Sequence, residues 1–116
     1  MLVCMKVLSL AEVKGDEIVP GAVRKVLVYS DKMMMIHNEA PPGGKLSHSH
    51  PHEQMGYMVK GKAKLTASGE EVILKVGDSY FLESNEHHEF EVVGDESAII
   101  LDIFYPPRED YLPSDE

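Results

Sequence analysis

Cysteine is nearly absent from this sequence: Cys4 stands alone among 116 residues. No disulfide can therefore form within the chain. The N-terminal segment also lacks the charged, apolar and small-residue regions of a secretory signal. No apolar run reaches the roughly 18 to 20 residues that a membrane-spanning helix needs. We therefore expect a cytoplasmic protein that makes no contact with a membrane.

Basic residues are also scarce. The chain has 11 Lys and Arg residues against 20 Asp and Glu residues, and its formal net charge is −9. A chain this acidic repels phosphate backbones rather than displacing their counterions. Nucleic acid is thus not an expected partner, and the scattered acidic residues are interpreted as a solvated surface.

The length of the chain limits it to one hydrophobic core. At 116 residues and 43% hydrophobic content, it is long enough for one core and too short for two. We therefore predict a single domain over residues 1–116. An apolar N-terminal stretch, "MLVCMKVLSL", exceeds what a small barrel needs and could pair with an exposed sheet edge. It is the reason to expect a homodimer.

Short apolar runs separated by turn residues predict the secondary structure. No segment holds a long apolar period of 3.6 residues, and the turn residues include PPGG at 41–44, Ser68-Gly69 and Asn85. Many short strands at near-regular spacing are typical of an antiparallel sandwich or closed barrel. We predict an all-β fold with strands near 2–10, 22–30, 32–40, 55–61, 62–67, 71–76, 79–82, 88–93 and 97–105.

Histidines cluster in the segment "LSHSHPHEQMGYMVKG", residues 46–61. In an extended strand alternate residues share a face, so His48, His50, His52 and Gln54 are predicted to project the same way. Two imidazoles on one face can chelate a metal, although a histidine-rich surface segment without function is the alternative. A second pair of histidines follows an apolar strand and a turn in "GDSYFLESNEHHEF".

The first of these segments resembles the first motif of the cupin superfamily. That motif reads G, five residues, HxH, three or four residues, E, six residues, G. With HxH on His48 and His50, Gln54 takes the acidic position and the closing glycine fits. Starting instead at His50 and His52 would place a glycine or a tyrosine in the acidic position, where neither is a good metal ligand.

The second segment resembles the second cupin motif, which reads G, five residues, P, one residue, G, two residues, H, three residues, N. Counting from Gly77 places the histidine of the motif on His88 and makes His87 its neighbour. Four other positions depart from the motifs and fall on turn and packing positions: Pro42 stands for the leading glycine of the first motif, and Glu83, Asn85 and Val92 stand for the proline, the glycine and the final asparagine of the second.

The resemblance to cupins implies a single antiparallel β-barrel, a jelly roll or double-stranded β-helix, with its core over about residues 34–105. It also implies one divalent transition metal, for which nickel, zinc, manganese, iron and copper all suit imidazole ligands. The implied ligands are His48, His50, Gln54 and His88. A neutral amide in place of a carboxylate would leave the charge of the ion intact, which favours an anionic substrate. The alternative is a hydrogen-bonding Gln54 and no metal.

The end of the chain, "LDIFYPPRED", resembles the small single-domain cupins of the KdgF type, as does "HSHPHEQ" followed by Gly56-Tyr57. That resemblance implies that Asp102, Phe104 and Arg108 line the metal cavity. Spacing alone would favour a solvated Asp102, a core Phe104 and a surface ion pair for Arg108.

KdgF-type cupins convert 4,5-unsaturated uronates into linear keto forms, so the resemblance implies a metal-dependent isomerase and a small carboxylate-bearing substrate. In that role Asp102 would move a proton, Arg108 would bind the carboxylate and Phe104 would form a wall for the sugar ring. Two alternatives stay open, because fold does not determine chemistry. One is a metal-dependent dioxygenase of a small acidic metabolite, and the other is a non-catalytic barrel that binds a metal or a small molecule.

Overall fold

The computed structural model describes residues 5–48 and 50–112, without the side chains of Ser47 and His48. Within those ranges the chain forms ten β-strands and two short 3₁₀ turns, Leu10–Glu12 and Glu109–Tyr111. None of the described helical segments is long and apolar enough to cross a membrane. The strands are β1 Asp16–Val19, β2 Ala22–Tyr29, β3 Met34–Ala40, β4 Lys45–His48, β5 Glu53–Lys60, β6 Lys62–Ala67, β7 Glu70–Leu74, β8 Ser79–Leu82, β9 His88–Val93 and β10 Ala98–Tyr105.

The strands form two antiparallel sheets. The larger has six strands in the order β1-β2-β3-β10-β5-β8, and the smaller has four in the order β4-β9-β6-β7. The central strand β10 pairs with β3 on one side and with β5 on the other. The prediction of an all-β antiparallel fold is therefore confirmed.

Turn residues lie where the sequence predicts them. Ser68 and Asn85 have φ angles of 51° and 64°, and Gly61 has a φ of 78°. A Cβ atom at Gly61 would lie 2.7 Å from the Ser97 carbonyl oxygen. Left-handed backbone and this close approach together require glycine between β5 and β6.

The predicted strand at 2–10 is wrong in its described part. Residues 5–9 are irregular and residues 10–12 form a 3₁₀ turn, while residues 1–4 lie outside the described ranges. Met5 and Val7 are 81% and 78% exposed. An alternating apolar pattern does not make a strand unless a neighbouring strand edge is in reach. The short polar strands β1 and β4 were not among the predicted runs.

The histidine segment 46–54 is not the one continuous strand from which a shared face was expected. β4 ends at His48 in the four-stranded sheet, and β5 begins at Glu53 in the six-stranded sheet. Pro51, which has no N–H to donate to a ladder, lies in the bend between them. The chain therefore crosses from one sheet to the other within this segment.

Two apolar clusters form the core and leave a polar layer between them. The larger joins the two sheets through residues such as Met58, Leu82 and Val92, and the smaller consists of Met34, Ile36 and Phe104. Strand β10 contributes an inward residue to each cluster, Ile100 to the larger and Phe104 to the smaller. Asp102 lies between them on the same face, which places a carboxylate inside the barrel.

Candidate functional site

The Asp102 carboxylate is buried and accepts hydrogen bonds from three side chains. Asn38 Nδ2 donates to Oδ2 at 3.0 Å, and Gln54 Nε2 donates to Oδ1 at 3.0 Å. The Tyr80 hydroxyl also donates to Oδ1. Burial raises the pKa of the Asp102 carboxyl above its ordinary value, although these donors and the charge of His88 oppose the shift. The site thus contains a carboxyl whose proton affinity is higher than that of an exposed aspartate.

Asp102 determines the orientation of the Gln54 amide. An ionised carboxylate only accepts hydrogen bonds, so the amide nitrogen must face Asp102 and the amide oxygen must face away. Gln54 Oε1 lies 3.2 Å from His50 Nε2. Two ligand atoms about 2.1 Å from one ion, at an angle of roughly 90° to 110°, lie about 3.0 to 3.4 Å apart. The separation of these two atoms is that of a hydrogen bond from a protonated Nε2 to Oε1, and it also fits adjacent ligands of one metal ion.

His88 presents a third candidate ligand from the opposite sheet. Its Nδ1 lies 3.1 Å from the Glu86 carbonyl oxygen, which can only accept, so the proton of the neutral ring belongs on Nδ1. The ring centroids of His88 and His50 are 5.1 Å apart. Burial lowers the pKa of both histidines, which favours the neutral form that binds metals. His88 is 3% exposed, whereas the neighbouring His87 is exposed.

His48 can be placed by its backbone only. Its Cα partner in the ladder between β4 and β9 is His88, and its side chain lies outside the described part of the structure. Among the side chains that are described, no three His, Cys, Asp or Glu residues converge as a metal site. Gln54 is not one of those residue types, so the described candidate set is His50, Gln54 and His88.

A small cavity lies beneath these side chains. It has a volume of about 40 Å³, and its polar lining comprises Asn38, Gln54, Tyr80, His88 and Asp102. This is room for about one water molecule or one ion, because water occupies roughly 30 Å³ in the liquid. A sugar ring does not fit. A larger ligand would have to bind outside this cavity.

Phe104 and Arg108 lie on the other side of His50. The ring centroids of Phe104 and His50 are 5.5 Å apart. Arg108 is only 8% exposed, and its Cζ lies 5.3 Å from the centre of the Phe104 ring. Its charge contributes to the lowered pKa of His50, for which burial is the largest cause. Arg108 also pairs with Asp110, as the ion-pair alternative expected, but it does so as a buried residue.

The chain matches the cupin domain family over residues 36–104, which is more than half of its length. That region begins in β3 and ends in β10, and it contains all four predicted metal ligands together with Asp102 and Phe104. The chain belongs to the cupin family.

This cupin is similar to the pectin degradation protein KdgF of Dickeya dadantii (strain 3937). The two are 34% identical over 103 residues, which cover 87% of this chain and 93% of the relative. The predicted resemblance to KdgF-type cupins is therefore confirmed.

Solved structures show the same fold. KdgF from Halomonas sp. has a TM-score of 0.88 at 24% identity, over 94% of this chain and 100% of that chain. An RmlC-like cupin from Shewanella frigidimarina NCIMB 400 has a TM-score of 0.86 at 24% identity, over 94% of this chain and 97% of that chain. The predicted jelly roll of the cupins is confirmed by these likenesses.

Sequence reasoning missed two polar residues of this cupin, Asn38 and Tyr80. They reach Asp102 from β3 and β8. Asn38 lies outside both histidine motifs, and Tyr80 lies within the second motif at a position that the motif leaves unspecified. The one signal in the sequence is Gly56, which pairs with Asp102 on one side and with Tyr80 on the other. A Cβ atom at Gly56 would lie 2.1 Å from Tyr80 Cζ. The missing side chain thus makes room for the tyrosine ring.

Replacing Gly56 by Ala is expected to displace the Tyr80 ring and to lower the free energy of unfolding by about 1 to 3 kcal/mol, the usual effect of overpacking a core. Urea denaturation would measure it. The same substitution in a Tyr80→Ala background should have less than half of this effect, since the clashing ring is then gone. Equal effects in both backgrounds would contradict the steric explanation.

Proposed function

We propose that this cupin is a metal-dependent isomerase that opens 4,5-unsaturated uronates, sugars released during pectin breakdown, to linear keto forms. The observation that carries the proposal is the juxtaposition of His50, Gln54 and Asp102 with Phe104 and Arg108 in a chain 34% identical to a pectin degradation protein. A carboxyl and a guanidinium then lie on either side of the candidate metal ligands, Asp102 next to Gln54 and Arg108 next to Phe104 and His50. That is the set of groups a tautomerisation of an acidic sugar needs.

We propose that His48, His50, Gln54 and His88 would hold one divalent transition metal. When bound, such an ion supplies a Lewis acid that polarises a sugar oxygen. Its three imidazoles and one amide carry no charge, so the ligand set leaves the cation charge available to an anionic substrate. Nickel, zinc, manganese, iron and copper are all compatible with these ligands.

Arg108, Asp102 and Phe104 have the remaining roles in binding the substrate and transferring the proton. Arg108 binds the carboxylate of the uronate, because a guanidinium makes charge-assisted hydrogen bonds to carboxylates. Asp102 takes up and releases the proton that moves during tautomerisation, and burial raises the pKa of its carboxyl above the ordinary value, which favours proton uptake. Phe104 supports the sugar ring, which has to lie outside the small cavity because that cavity holds only about one water molecule.

Turnover of unsaturated galacturonate by the purified, metal-loaded protein tests the proposal. Loss of the ultraviolet absorbance of the unsaturated sugar should accompany the appearance of the linear keto product in NMR spectra. If unsaturated galacturonate, mannuronate and guluronate products are all left unchanged, the isomerase assignment is wrong. Oxygen consumption with a redox-active metal would then indicate a dioxygenase, and binding of a small acid without turnover would indicate a binding barrel.

We also propose that the protein is a homodimer, and the outer face of the six-stranded sheet supports this better than the N-terminal stretch does. Met35, Ile103, Met55 and Phe81 lie in register across four strands of that face. Exposed fractions of 38% for Ile103, 56% for Met55 and 50% for Phe81 make this row an apolar surface. A contiguous apolar surface of this kind is typical of an interface.

Light scattering at micromolar concentration is expected to show about twice the 12.9 kDa mass of one chain. Ile103→Glu should shift the mass to that of a monomer, because it places a charge in the centre of the row. Val72→Glu is the matched control, since Val72 is 54% exposed on the other sheet. A monomeric mass for the wild-type protein would contradict the proposal.

A further inference from the structure

One edge of the Arg108 guanidinium is held by Asp110, two residues further along the chain. Its Nε donates to Asp110 Oδ1 at 3.2 Å, and its Nη2 donates to Asp110 Oδ2 at 3.0 Å. This is the bidentate arrangement in which a planar guanidinium fits a planar carboxylate. The Nε–Nη2 edge of Arg108 is therefore already occupied within the chain. A substrate carboxylate has to bind elsewhere on the guanidinium.

Tyr111 packs against the flat face of the same guanidinium. Arg108 Cζ lies 4.1 Å from the centre of the Tyr111 ring, and Arg24 Cζ lies 3.6 Å from it. One ring face has room for one guanidinium at such distances, so the two arginines take opposite faces. Tyr111 in turn packs edge to face on Phe104, with centroids 6.0 Å apart. The tyrosine thus ties Arg108 to the wall of the candidate site.

The remaining end of the guanidinium has no acceptor within the described chain. Arg108 Nη1 is buried and makes no hydrogen bond to any described residue. A buried N–H group without an acceptor destabilises a protein, and such groups are rare in native structures. Arg108 lies beside Phe104, and its positive charge contributes to the lowered pKa of His50. A ligand carboxylate at the candidate site would therefore supply the missing acceptor.

We infer that Asp110 and Tyr111 are positioning residues for Arg108, and that they hold its guanidinium so that the Nη1 end binds the carboxylate of the ligand. The inference rests on the proposed function in one respect, which is that the ligand is a uronate. Neither residue touches the ligand in this arrangement. Asp110 acts on one edge of the guanidinium and Tyr111 on one face.

The two possible roles of Asp110, as a negative charge and as a positioning residue, predict opposite effects of its removal on ligand binding. Its negative charge repels an anionic ligand, so removing that charge should strengthen binding if charge alone matters. If Asp110 acts by positioning, its removal should weaken binding in spite of the more favourable charge. Partial burial would raise the pKa of the Asp110 carboxyl, but its hydrogen bond to Arg108 and the nearby positive charges outweigh burial, so the pKa is lowered. Asp110 is therefore ionised at neutral pH, and both effects are present.

Steady-state kinetics with unsaturated galacturonate separates the two effects. Asp110→Asn is expected to raise KM about tenfold and to change kcat by less than about twofold, because the loss lies in carboxylate binding. Glu109→Gln removes the same charge from the same turn and should leave KM within about twofold of wild type. Tyr111→Phe keeps the ring and should also match wild type, whereas Tyr111→Leu should behave like Asp110→Asn. A lower KM in Asp110→Asn would overturn the inference.

Nitrogen-15 NMR of the arginine side chains gives a readout that does not depend on turnover. The Nε–H signal of Arg108, assigned by its loss in Arg108→Lys, should exchange slowly with water in wild type and rapidly in Asp110→Asn. Addition of D-galacturonate should shift this signal, with a Kd about tenfold higher in Asp110→Asn than in wild type. An Nε–H signal that is equally protected in both proteins, no shift in wild type, or an equal or lower Kd in the variant would each overturn the inference. If the wild-type protein turns over no uronate, the proposed function fails, and this experiment alone then decides the inference.

Discussion

Replacing Asp102 by Asn is expected to lower kcat for uronate ring opening by about 10² to 10⁴ while the metal content stays unchanged. The substitution preserves the shape of the side chain and the oxygen that accepts from Gln54 and Tyr80. It removes the group that takes up and releases a proton. Asn38 can satisfy the new amide by turning its own oxygen toward it. Assays of ultraviolet absorbance would give kcat, and elemental analysis would give the metal content.

Tyr80→Phe is the control for this experiment. It removes one donor to Asp102 Oδ1 but keeps the carboxylate and the aromatic ring that fills the space over Gly56. We expect kcat to fall by about tenfold or less, the usual effect of losing one hydrogen bond next to a catalytic group. If Asp102→Asn were as active as Tyr80→Phe, proton transfer by Asp102 would be refuted and an orienting role for Gln54 would remain.

His88→Ala is expected to abolish metal binding and, with it, all measurable ring opening. Removing one imidazole from a small ligand set lowers metal affinity severely, because the remaining ligands cannot complete the coordination. Purification without a metal-affinity step, followed by elemental analysis, should give about one ion per chain for wild type and fewer than about 0.2 for the variant. Fewer than about 0.2 ions in wild type, not restored by added metal, would refute the site itself.

Two neighbouring histidines serve as matched controls for the metal experiment. His87→Ala removes the exposed residue next to His88 in the chain, and His52→Ala removes the residue that the alternative motif alignment would make a ligand. Both variants should keep their metal. Loss of metal in His52→Ala would show that the ligand set starts at His50 rather than at His48. The ring centroids of His52 and His50 are 5.4 Å apart, so His52 is close enough to His50 to be tested as an alternative ligand.

Much of the fold could be predicted because it depends on local pattern. Spacing alone favoured a core position for Phe104, which is buried, but it also favoured a solvated Asp102, which is buried on the same face of β10. Ser68 and Asn85, predicted as turn residues, have the left-handed backbone that short turns require. The pattern failed at residues 5–10, where the apolar side chains are exposed and the described backbone forms no strand.

The residues of the candidate site were predicted from motif spacing and not from the alternation of apolar residues. Its histidines were found through motif spacing, yet the reason first given for their proximity, a single continuous strand, was wrong. His50 and Gln54 approach each other because the chain bends at Pro51 and crosses between sheets. Motif spacing therefore grouped His50 with Gln54 without describing the geometry that brings these two side chains together.

The sequence by itself determined the all-β class, the positions of most strands and turns, the cupin resemblance and the candidate residues, since each of these follows from residues close together in the chain. Only the tertiary structure decided which groups surround each candidate. Asn38, Tyr80 and Gly56 meet at Asp102 because β3, β5, β8 and β10 pair in one particular register. Strand pairing is set by packing between segments far apart in sequence, and a shift of one residue would turn every one of these side chains to the other face.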